Sequence, residues 1–107
     1  MYSFNAYLKS VISGDQIVVD VDLGFNIWVH DKQIKLASIK ECGPDSKVFL
    51  EKCFEQYPGM FKLHTFDHGQ NGVIFLQDGG YALNLNKLLV DNGHATWSSA
   101  VSDLAKD

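Results

Sequence analysis

Residues 11–21, Val11-Ile12-Ser13-Gly14-Asp15-Gln16-Ile17-Val18-Val19-Asp20-Val21, set a tight turn between two β-forming runs. Ser13-Gly14-Asp15 carries the turn, because small and polar residues accept a tight backbone and bond it locally. Before it, Tyr2 to Ile12 reads as a first strand with aromatic and β-branched residues. After it, Gln16 to Val21 is strongly β-forming, and Asp22-Leu23-Gly24 breaks that run. Phe25 to Val29 and Gln33 to Ile39 supply the next strand material, with His30-Asp31-Lys32 as the turn between them. In Ile34-Lys35-Leu36-Ala37-Ser38-Ile39 the apolar residues fall mainly at 34, 36 and 39. That imperfect alternation predicts a bulge near Ala37-Ser38.

Gly43-Pro44-Asp45 opens a helix, since proline suits a first helical turn. Val48, Phe49, Lys52 and Cys53 form one face, extended by Gln56, and Tyr57-Pro58-Gly59 ends it. Met60 to Phe66 alternates Phe61, Leu63 and Thr65 against Lys62, His64 and Phe66, a strand pattern. A turn at 68–72 leads to a strand over Val73 to Leu76, closed by Asp78-Gly79-Gly80. Asn84 is the expected N-cap of a helix with Leu85, Leu88 and Leu89 buried. Asn92-Gly93 ends it. Ala95-Thr96-Trp97 is extended, and 98–106 suggests a short terminal helix. The expected fold is α+β, mainly β: one domain over 1–107, a five-stranded OB-like barrel with two to three packed helices.

Composition narrows the function. The chain has 107 residues, room for one core and not two. No run approaches the roughly 20 apolar residues of a membrane span. The first residues lack a basic and an apolar region of signal-peptide type, so a cytoplasmic protein with reduced thiols at Cys42 and Cys53 is expected. Nine basic residues face thirteen acids, for a net charge of −4. All nine are lysines (9, 32, 35, 40, 47, 52, 62, 87 and 106). An acidic chain without arginine is poorly placed to neutralise phosphates and lacks a bidentate phosphate fork. No cofactor or metal is expected, because no Cys-x-x-Cys or His-x-x-x-His spacing supplies ligands.

Several segments, in order, resemble the staphylococcal-nuclease (thermonuclease-like) family, its phage members included. Val11-Ile12-Ser13-Gly14-Asp15-Gln16-Ile17 resembles its Val-x-Asp-Gly-Asp-Thr-Ile/Val. Asp20-Val21-Asp22-Leu23-Gly24-Phe25 resembles the following strand and loop. Ile34-Lys35-Leu36-Ala37-Ser38-Ile39-Lys40 sits where the family has Ile-Arg-Leu-x-Gly-Ile-Asp-x-Pro-Glu, and Asp78-Gly79 matches a later turn. Leu83 to Ala95 resembles the terminal helix and its Asn-Gly-x-Ala exit. The resemblance implies an OB-like barrel. In active members it also implies Ca²⁺-dependent hydrolysis of DNA and RNA: carboxylates hold the metal, a glutamate handles water and a pair of arginines steadies the transition state.

That machinery does not carry over. Ser13 replaces the first carboxylate of Asp-Gly-Asp, and Asp15 keeps the second. Lys40 stands where a metal-binding aspartate is expected, and Gly43 where the general base is expected. Lys35 replaces the first arginine without its bidentate geometry, and Gln70 the second. Calcium takes about six to eight oxygen ligands, typically including several carboxylates. Each lost preorganised group typically costs about 10²–10³-fold in rate.

The plainer readings stand beside these. Asp15 is expected to be a turn residue accepting backbone N–H bonds. Lys35 and Lys40 form a solvated strand edge or pair with Asp15 or Glu41, against the alternative of a phosphate site in the old cleft. His64 and His68 are expected on the surface, and the cysteines as structural thiols. Trp28, Tyr81 and Trp97 are the aromatic residues that would mark a partner surface if exposed. The expected function is a catalytically inactive, protein-binding module, an inhibitor or adaptor of a host protein encoded by a virus or mobile element. The alternative is a non-catalytic binder of single-stranded nucleic acid or nucleotide on the barrel face. Residual Ca²⁺-dependent nuclease activity stands third.

Overall fold

The computed structural model describes residues 2–40, 43–66 and 71–97. The turn at β1(Tyr2–Ser13)–β2(Gln16–Asp22) folds as the sequence expects, with Ser13 opposite Gln16. Strand β3 (Trp28–Leu36) pairs antiparallel with β2. Strand β5 (Phe61–Phe66) pairs with the other side of β1, and β6 (Asn71–Asp78) pairs with β5. The barrel closes where β6 meets β3 in parallel, at Lys35↔Asn71 and Leu36↔Gly72. The order β3-β2-β1-β5-β6 with that closure is a five-stranded OB-like barrel. Among the described residues two helices pack on it, α1 (Ser46–Gln56) and α2 (Leu85–Asp91). None of the helices described is long and apolar enough to cross a membrane.

Alternation decides what lies inside. Ile17, Val19 and Val21 from β2, and Phe61 and Leu63 from β5, point into one core with Ile34, Leu36, Ile74 and Leu76. Each such side chain contributes about 1.5–3 kcal/mol by leaving water. Asn84 caps α2 as expected, accepting a bond from the Lys87 N–H at 3.1 Å. Gly93 leaves the helix at φ 77°, the left-handed exit that glycine favours. Leu85 and Leu89 are buried and Leu88 only partly so; the fully buried Asn86 completes the inner face.

Several boundaries differ from expectation. His30-Asp31-Lys32 is not a turn: β3 runs through it. Asp31 sits at φ 56°, a bulge opposite Asp20, whose Oδ1 accepts the Asp31 N–H at 3.0 Å. Polar residues at an exposed edge imitate turn composition. Conversely, Ala37-Ser38 is a turn and not a bulge, with Ser38 at φ 65°, and it leads to β4 (Ile39–Lys40). Helix α1 starts at Ser46, two residues after Pro44, and Ser46 Oγ donates to the Gly43 carbonyl at 2.7 Å. Its buried stripe is Ser46, Leu50, Cys53 and Phe54. Val48, Lys52 and Gln56 are exposed, and Phe49 is half-buried against His94. An unexpected strand, β7 (Tyr81–Asn84), follows the Gly79-Gly80 turn, and β8 (Thr96–Trp97) pairs with β4. The terminal helix expected over 98–106 lies outside the described residues, as does most of the turn at 68–72.

Candidate functional site

The positions aligned with catalytic groups lie at the β1–β2 turn, near the end of β3 and in the segment that follows it. Ser13 Oγ donates to Asp15 Oδ1 at 2.9 Å. The Asp15 backbone carbonyl accepts the Leu36 N–H at 2.8 Å, which fastens the turn to the end of β3. The Asp15 carboxylate therefore bonds a side-chain hydroxyl, not the backbone N–H groups expected of it. Lys35 lies opposite Gln16 and is exposed. Lys40 is exposed on β4, opposite Thr96. Gly43 donates its N–H to the His94 carbonyl at 2.8 Å. Strand pairing thus brings Ser13, Asp15 and Lys35 to one end of the β2–β3 ribbon, while Lys40 and Gly43 are tied to 94–96. Among the described residues, neither lysine forms an ion pair, so the Lys35–Asp15 pairing is not made. Gln70 and Glu41 lie outside those residues. Within them, no group of three His, Cys, Asp or Glu side chains is placed to hold a metal ion.

The other end of the same ribbon is of opposite character. Gly24, Phe25 and Asn26 take positive φ in succession, 85°, 54° and 61°. Ile27 N–H donates to the Gly24 carbonyl at 2.9 Å, and Leu23 N–H to the Ile27 carbonyl at 2.9 Å. Asp22 Oδ1 accepts the Gly24 N–H at 2.8 Å. Positive φ at both central residues with this bond is a type I′ hairpin turn, which favours Asn-Gly. Here a phenylalanine holds the first central position, where a left-handed backbone costs roughly 1–2 kcal/mol. Its ring is 97% exposed, and Leu23, Ile27, Trp28 and Val29 around it are exposed as well.

Two surfaces flank this tip. On the outer face, Trp28 lies 5.8 Å from Tyr7 and stacks on His30 at 6.2 Å and 9°. His30 Nδ1 stands 3.3 Å from Asp20 Oδ1, and Lys9 Nζ lies 3.9 Å from Asp20 and 3.4 Å from Asp31. The Asp31 N–H holds the Asp20 carboxyl below its ordinary value, against some desolvation, with His30 and Lys9 adding to the effect. On the inner face the barrel mouth forms an apolar cavity of about 240 Å³, lined by Phe4, Val21, Leu23, Val29, Leu63 and Thr65, with Lys32 at its edge.

The aromatic residues singled out from the sequence fare differently. Trp28 belongs to the hairpin surface. Tyr81 is 76% exposed at the start of β7, opposite Asp78. Trp97 is half-buried against the core. Tyr81 and Trp28 lie beyond opposite ends of the short β3–β6 pairing, so they mark separate surfaces. His64 is half-buried and not fully on the surface: it packs on Phe75 at 4.7 Å, and its buried Nδ1 has no hydrogen-bond partner among the described residues. Desolvation, then the Lys62 charge, lowers its pKa. Cys53 is a buried free thiol whose pKa burial raises, in keeping with a structural role; Cys42 and His68 lie outside the described residues. The Phe25 tip was missed because Phe25 to Val29 reads as strand. The signal was there in apolar Leu23, Phe25 and Ile27 around a Gly24-x-Asn26 turn. No protein-family model matches this sequence, and no curated protein matches it.

Proposed function

We propose that this chain is a non-catalytic, protein-binding module on a degenerate barrel of the staphylococcal-nuclease type, and that it engages its partner through the β2–β3 hairpin. The carrying observation is Phe25, 97% exposed and held in a left-handed conformation by bonds on both sides. Strain of this kind persists where function retains it. The residues at 13, 35, 40 and 43 support the non-catalytic half, since a hydroxyl, two lysines and a glycine stand where that chemistry needs carboxylates and a guanidinium. An inhibitor or adaptor encoded by a virus or mobile element, acting in a host cytoplasm, is the role such a stripped scaffold suits.

The test is affinity capture from host extract with the wild type and Phe25→Asp, with and without added nuclease. A nuclease-resistant partner lost in Phe25→Asp is the expected result; capture indifferent to Phe25 overturns the reading. Incubation with denatured DNA and Ca²⁺ should give no cleavage, and cleavage abolished by Asp15→Ala overturns the non-catalytic half.

A second reading has one observation in its favour. The Tyr7, Trp28 and His30 rings form a shelf on which bases of a single strand could stack. The Asp20 carboxylate beneath it repels phosphate. Salt titration of single-stranded DNA binding by wild type and Trp28→Ala separates the two readings.

A further inference from the structure

We infer that the partner seated on the hairpin is a second copy of this chain, docked barrel mouth to barrel mouth with each Phe25 in the other's cavity. This rests on the reading of the hairpin as a protein-docking surface and names what occupies it when no host protein does; a host partner would take the surface by displacing the second copy. The first ground is that knob and socket are close neighbours. Phe25 stands at the tip of the hairpin, two residues from Leu23, which lines the mouth. A two-fold interface requires such self-complementarity: what one copy projects, the other must accept at the same place.

Size is the second ground. A cavity of about 150 Å³ takes a benzene ring, and the mouth offers about 240 Å³ of apolar space. Phe25, nearly all exposed, with Leu23, Ile27 and Val29 at 38–56%, offers on the order of 400 Å² of surface beside the mouth. A standard interface buries about 800 Å² per partner, a little over half of it apolar. The hairpin therefore matches the apolar core of a stable dimer.

Charge is the third ground. Lys32, the cation at the mouth, has no ion pair among the described residues, and neither does Asp22 at the base of the projecting loop. Exchange of the loops carries each Asp22 toward the other copy's Lys32. The acidic groups near the tip, Asp20, Asp22 and Asp31, oppose the competing occupant, an anionic membrane surface.

Sedimentation equilibrium of the full chain over about a hundredfold range of concentration tests this. The wild type should pass from one to two chain masses. Phe25→Asp should weaken association on the order of a thousandfold, because each substitution enters a two-fold interface twice. Val29→Lys, which charges the socket, should also be monomeric. An equimolar mixture of the two variants should regain dimer, since one intact knob meets one intact socket. A photo-crosslinking phenylalanine analogue at position 25 gives a second readout: it should join two chains at residues of the mouth. A wild type monomeric throughout, a Phe25→Asp dimer, or crosslinks elsewhere overturns the inference. A monomeric wild type that still captures a host protein through Phe25 leaves the module reading standing; loss of both removes both.

Discussion

The side-chain amide of Asn86 donates to the carbonyl of Ala37 at 3.0 Å, across 49 residues of chain. The same nitrogen donates to the Gly72 carbonyl at 3.2 Å, and Oδ1 accepts the Ile74 N–H at 3.2 Å. One fully buried carboxamide thus joins α2, β6 and the turn after β3. Asn86→Leu fills similar space but strands the Ala37 carbonyl and the Ile74 N–H and takes one of two bonds from the Gly72 carbonyl. It should cost about 3 kcal/mol, read as a lower urea midpoint. Asn86→Asp should destabilise too, because it turns an acceptor toward two carbonyls.

Gly72 sits at the barrel seam, where its carbonyl also accepts the Ala37 N–H at 2.8 Å. A Cβ there would lie 2.6 Å from Leu63 Cδ1, and 3.2 Å from both the His64 carbonyl and Ile34 Cγ2. Gly72→Ala should therefore destabilise by about 2 kcal/mol through overpacking. Calorimetry of the single variant checks this; an unchanged melting temperature contradicts it.

What the sequence made legible was local. Asn84 and Gly93 announced the ends of α2, because caps depend on a few adjacent residues. Phe61, Leu63 and Thr65 announced an inward face, because a strand's period is two. The β2–β3 hairpin was harder: Asp31 takes positive φ for a reason outside its own neighbourhood, and Phe25 takes it at a turn position where a phenylalanine gives no turn signal. Asp31 answers to Asp20, eleven residues away. The face of α1 was misplaced because choosing Leu50 over Val48 requires knowing which side β1 occupies. Asn86 read as a polar helix residue, and its three backbone partners are visible only once α2 lies on β6.

His64 gives the fold a pH dependence. Its folded pKa lies below the ordinary 6.5, first through burial and then through Lys62. The unfolded chain therefore takes up this proton first as pH falls. The stability tied to neutral His64 is complete above about 6.5 and is lost as pH drops toward the folded pKa. His64→Gln should flatten this part of the profile, measured as urea midpoints between pH 7.5 and 5 at constant ionic strength. A wild-type slope retained in the variant assigns the effect to another group.

Phe25 should trade stability against association. Asn26, already in the left-handed region, is a residue that tolerates it; Phe25 is not. Its ring is so exposed that removing it forfeits little core packing. Phe25→Asn should therefore stabilise the fold of the isolated chain by about 1 kcal/mol, raising the urea midpoint at concentrations too low for association. At high concentration the order should invert, because the wild type gains from mass action and the variant does not. A Phe25→Asn chain less stable than wild type in dilute solution would mean that the ring supports the hairpin itself, and the case that it is held there for a partner would fail.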